Sequence, residues 1–130
     1  MSDKHLNPTL RAATAAFIGV MLPALLDPIR MVARHHGYAI AVHGSLARDI
    51  DLVAIPWTDH ADDADILARS IRGAVAGVLG SAHLHADKDG SLNWTEKPHG
   101  RKALTLIHAG FVGEIDLSVM PRIIPPEDPK

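Results

Sequence analysis

The chain has 130 residues, no cysteine, a hydrophobic fraction of 47% and a formal net charge of −2 with its nine histidines neutral. That length fits one domain with a proper core of its own. The lack of cysteine excludes disulfides and thiolate metal sites and fits a reducing compartment. The near-neutral charge argues against tight, nonspecific binding to duplex nucleic acid.

Asn7-Pro8 predicts a helix start, with Asn as the cap and Pro at the first helical position. A first helix is expected over 8–22, stopped or kinked at Pro23. Residues 12–26 are apolar apart from Thr14. This run is shorter than the roughly 20 residues of a membrane span, so a buried helix and no membrane partner are expected. Lys4 and Arg11 ahead of it also allow a signal segment, but no small-x-small cleavage site follows. Asp27-Pro28 repeats the cap signal, and Gly37 fits the position just past a helix end. Residues 24–36 read equally as the continuation of a kinked helix or as a turn and a second helix.

Residues 38–42 and 49–55 predict antiparallel neighbouring strands, the second ended by Pro56. Thr58 or Asp59 then caps a helix whose stripe is Leu67, Ile71, Val75 and Val78, ended by Gly80. Residues 82–101 are polar, with a short strand expected over 91–95 and a turn over Lys97–Arg101. Strands follow over 102–108 and 114–120, joined by a loop that begins at Ala109-Gly110, and a Pro-rich extended tail runs over 123–130. The order gives a single α+β domain over 1–122, with a helical segment at 1–23 and a mixed, mostly antiparallel sheet with helices packed on one side.

The chemistry concentrates in His43-Gly44-Ser45-Leu46-Ala47-Arg48-Asp49-Ile50-Asp51-Leu52. Alternation puts Asp49 and Asp51 on one strand face, about 7 Å apart at the backbone. Val53 and Ile55 continue that face, so it is expected to become buried beyond the acids. Two neighbouring carboxylates then need a cation or a basic partner to stay ionised. Glu114-Ile115-Asp116-Leu117 repeats the spacing, and Asp116-Leu117 matches Asp51-Leu52. Gly44 and Ser45 suit a turn that donates to phosphate oxygens, and Arg48 suits either a phosphate clamp or neutralisation of the acids. Lys97, His99 and Arg101 share one turn, where they bind phosphate or form a solvated basic loop. His83, His85 and Asp87 alternate ligand types but lack a further spaced ligand for zinc. Trp57 and Trp94 suit base stacking or, more commonly, packing.

A Gly-Ser turn, an acid-x-acid strand and one later acid resemble the nucleotidyltransferase superfamily, the polymerase-beta-like fold, over about residues 24–122. The chain also looks like short nucleotidyltransferase-like phage and prophage proteins. The resemblance implies that Asp49, Asp51 and Asp116 hold Mg²⁺ or Mn²⁺ and carry catalysis, and that Gly44, Ser45 and Arg48 bind phosphates. A nucleoside monophosphate would pass from a nucleoside triphosphate to a hydroxyl on a protein, small molecule or nucleic acid, in the cytoplasm of a bacterial host. Only Leu46, Ala47 and Arg48 separate the Gly-Ser from the acids, and the chain has little room for a base-gripping domain. Both departures favour as the alternative a catalytically inactive binding or interaction module, a phage accessory protein. A metal-dependent phosphohydrolase or nuclease is a further rival, and a homodimer would supply a missing pocket wall.

Overall fold

The computed structural model describes residues 7–44, 49–108 and 114–123. The architecture is α+β, with two long helices and a mixed sheet of six strands among the described residues. Helix α1 (Pro8–His35) leads into β1 (Tyr38–His43) and β2 (Ile50–Pro56). After α2 (Ala64–Leu79) come β3 (Ala82–Leu84), β4 (Thr95–Glu96), β5 (Lys102–His108) and β6 (Ile115–Val119). The strand order is β1-β2-β6-β5-β3, with β4 also on β5. Only β2 and β6 run parallel; the other pairs are antiparallel.

Helix α1 runs through both of its prolines, so Pro23 does not end it and Asp27-Pro28 is not a second start. Asn7 caps it as expected, its side chain accepting from the Leu10 N–H at 2.7 Å. The carbonyls that Pro23 and Pro28 leave without an amide partner belong to Gly19 and Ala24, both exposed and open to water. An interior proline costs about 3 kcal/mol. Burial of Ile18, Leu25 and Ile29, each essentially inaccessible, contributes about 1.5–3 kcal/mol apiece. Only an inner stripe of Thr14, Ile18, Leu25, Ile29 and Ala33 is buried; Leu10, Phe17, Val20 and Met31 are exposed, which corrects the expectation of a buried helix. The helix is long and apolar enough to cross a membrane, with 28 residues and a peak mean hydropathy of 1.7. Gly37, at φ +88°, ends the helix as expected, because a Cβ there would crowd Ala61 and Thr58.

Helix α2 begins later than expected. Asp63 is the cap, accepting from Ile66 N–H at 3.0 Å, while the Thr58 hydroxyl accepts from His60 N–H in the preceding turn. Its stripe of Leu67, Ile71 and Val75 is buried as the spacing predicts. Strand β3 was not anticipated, and the expected strand over 91–95 reduces to Thr95–Glu96 plus an isolated Ala86–Leu92 bridge.

Strand alternation sorts the sheet into two faces. Tyr38 and Ile40, Ile50 and Leu52, Ile115 and Leu117, and Leu104 and Leu106 are buried in one cluster with the stripes of both helices. The opposite face carries Asp51, Asp116, Thr105 and Ala103 and is open. Beyond the acids, Val53 is half-buried and Ile55 exposed. That face therefore does not become buried; it continues into an apolar trough with Met120, Pro121 and Ile123.

Candidate functional site

Backbone register builds the site. His43 pairs with Asp51, Asp51 with Asp116, and Asp116 with Thr105. Side chains paired in register point to the same face, so these four residues form one row across four strands. Asp51 and Asp116 lie on adjacent parallel strands, about 4.8 Å apart at the backbone. The row floors a cleft of about 300 Å³. Its walls include His85, Asn93, Thr95, Lys97 and Arg101.

Electrostatics mark Asp116 within the row. Its carboxyl is pushed up to about 6, chiefly by burial; the Thr105 hydrogen bond opposes this, and Asp49, Asp51 and Glu114 add to it by repulsion. The Thr105 hydroxyl donates to Asp116 Oδ1 at 3.2 Å. Asp49 sits just before β2, and its Oδ1 accepts from the Glu114 N–H at 2.9 Å. The Ile50 N–H donates to the Glu114 carbonyl at 3.0 Å. Asp49 thus joins the starts of the two parallel strands, while Asp51 and Asp116 face the cleft. Glu114 supplies main-chain groups to this junction.

Gly44 takes φ +84°, and a Cβ on it would overlap Asp51 Oδ2. The positive φ favours glycine here, and a side chain in its place would displace the Asp51 carboxylate. Ser45 and Arg48, the other expected phosphate-binding residues, lie outside the described residues, as does the Ala109-Gly110 loop.

No family model, no curated protein and no solved structure matches this chain.

A hard divalent cation is compatible with the donors present. Mg²⁺ binds through one or two carboxylates completed by substrate phosphates and water, rather than in an all-protein cage. Asp51 and Asp116 offer such a pair, although no ready-made group of three metal-binding side chains occurs among the described residues. The same holds for His83, His85 and Asp87: the His85 ring is 3.3 Å from the Asn93 amide nitrogen and belongs to the cleft wall. Trp94 is turned the other way, its indole N–H donating to Asp65 at 2.6 Å, and Trp57 is exposed outside the cleft. Thr105, Asn93 and Thr95 were not singled out from sequence, and His85 was weighed only as a zinc ligand. The period-two run Asn93, Thr95, Lys97 was the signal available for part of that wall.

Proposed function

We propose that this chain is a small nucleotidyltransferase-like protein that binds a nucleoside triphosphate with Mg²⁺ or Mn²⁺ and transfers the nucleoside monophosphate to a hydroxyl. One observation carries the reading: Asp51 and Asp116 are register partners on adjacent parallel strands, facing one open cleft. This is the juxtaposition implied by an acid-x-acid strand beside a later acidic strand. A bound divalent ion would neutralise phosphate charge and lower the pKa of a coordinated hydroxyl. Asp51 and Asp116 would hold the ion, and Gly44 leaves room for the Asp51 carboxylate. Asp116 would accept the proton of the attacking hydroxyl through a carboxylate oxygen not bound to the ion. The hydroxyl oxygen bonds to the α-phosphorus, the bond to the β-phosphate oxygen breaks, and pyrophosphate leaves. Asp49 positions the two strand starts through the Glu114 amide.

The test is incubation with each labelled triphosphate and Mg²⁺ or Mn²⁺, beside Asp51→Asn and Asp116→Asn. Metal-dependent label transfer lost in both variants is expected. Transfer that survives both substitutions refutes the assignment.

The engagement of Asp49 with the Glu114 amide favours a second reading, a nucleotide-binding module without turnover. Calorimetry separates the two: metal-dependent triphosphate binding with no transfer supports the module.

A further inference from the structure

The acids occupy one part of the cleft, and Lys97 and Arg101 occupy another. Arg101, just before β5, and residues 103 and 105 on it alternate onto the open face, and pairing of Thr95 with Ala103 carries residues 93, 95 and 97 onto it as well. Arg101 lies four residues from Thr105, about 13 Å along the strand from the carboxylate row. The backbones that carry the two cations are tied together by their turn. The Lys97 N–H donates to the Arg101 carbonyl at 2.8 Å. Between them, His99 and Gly100 take φ +68° and +74°. A Cβ on Gly100 would stand 2.9 Å from Pro121 Cγ, so the turn is seated against the chain leaving β6.

The neighbouring cation, Lys102, is already engaged on the other face, its ammonium 4.7 Å from the centre of the Trp94 ring. Among the described residues, neither Lys97 nor Arg101 forms a salt bridge with a carboxylate. Two positive groups held by a tight turn, lining a cleft and lacking a counter-charge, suit a bound anion. The separation from the carboxylate row suits an extended polyanion rather than a single small ion.

We propose that Lys97 and Arg101 grip phosphate groups of the ligand, at the end of the cleft away from the carboxylates. The inference rests on the nucleotidyltransferase reading for the kind of ligand, and on the cleft for its placement. The phosphates have two sources: the tail of the triphosphate, or a phosphate on the acceptor. Asn93 and Thr95, on the same wall, add neutral donors to either.

The experiment is calorimetric titration of the full chain in EDTA with inorganic tripolyphosphate, and separately with a 5′-phosphorylated dinucleotide. Wild type is expected to bind, and Lys97→Ala with Arg101→Ala to weaken binding by about tenfold or more. Lys97→Arg with Arg101→Lys, which keeps both charges, is expected to retain most of it. Preference for tripolyphosphate assigns the grip to the triphosphate tail; preference for the dinucleotide assigns it to the acceptor. No binding by wild type, or equal binding by the double alanine variant, overturns the inference. Absence of transfer activity alongside charge-dependent binding removes the transferase reading and leaves the grip standing. Transfer that proceeds with the double alanine variant binding both probes like wild type removes the grip alone.

Discussion

Two polar clusters of this molecule treat burial in opposite ways. At the end of α1, His36 Nδ1 meets Asp62 Oδ2 at 2.6 Å and His36 Nε2 meets Ser70 Oγ at 2.8 Å. The Asp62 N–H donates to the His36 carbonyl at 3.0 Å, and the Tyr38 hydroxyl donates to the Asp62 carbonyl at 2.6 Å. Burial pushes the Tyr38 phenol up, which keeps it a donor. This knot ties both helices to β1, and its contacts are complementary. Across the sheet, the row of Asp51 and Asp116 gathers like charges, and burial there disfavours the charged form of Asp116. Complementary clusters hold a fold together; a repulsive one lowers stability and gains it back when a cation or proton arrives. The contrast separates the part of the molecule that maintains shape from the part proposed to act.

Substitution sharpens this contrast. The largest effect is expected on transfer: Asp51→Asn lowers label transfer by at least about 100-fold, while His36→Ala leaves turnover per folded molecule unchanged. Equal losses in both variants would dissolve the distinction. On stability the order reverses. His36→Ala removes the shared partner of Asp62 and Ser70 and costs about 2–3 kcal/mol, read from the urea midpoint. Gly44→Ala forces a side chain into φ +84° against Asp51 and costs about 1–2 kcal/mol, with weaker Mn²⁺ binding by calorimetry.

The smallest effect is a gain. A carboxyl raised from 3.8 to about 6 keeps its proton longer in the folded state. Its contribution to stability is therefore complete below the unfolded value and lost as pH rises through about 6. Asp116→Asn should remove that loss and stabilise the metal-free protein by about 1 kcal/mol at neutral pH, after allowance for partial solvent screening. Its urea midpoint should vary less between pH 4 and 7 than that of wild type. A destabilised Asn variant would show that Asp116 belongs to the complementary kind of cluster.

Much of the frame was legible because it is local. Period-two alternation marked β1, β2, β5 and β6, and Asn7-Pro8, Gly37 and Gly80 marked helix ends. Cap signals misled where several competed: Thr58, Asp59 and Asp63 are all suitable types, and only Asp63 meets a helical amide. Prolines misled because tertiary burial of Ile18, Leu25 and Ile29 offset their local cost. Short edge strands such as β3 and β4 carry too few residues to show a pattern. In the site, Asp51-Leu52 and Asp116-Leu117 hinted at adjacency, and the register does pair Leu52 with Leu117. The Asp49 bond to Glu114 was not legible, since it spans 65 residues and depends on how two parallel strands begin. The Lys97–Arg101 turn was visible, but its place in the cleft follows from pairing with β5.

The most direct test is a crystal structure with Mn²⁺ and a non-hydrolysable nucleoside triphosphate, read by anomalous scattering. The account predicts one manganese peak bonded to oxygens of both Asp51 and Asp116 and to the triphosphate. Manganese bound elsewhere, or nucleotide seated away from these two carboxylates, would contradict it.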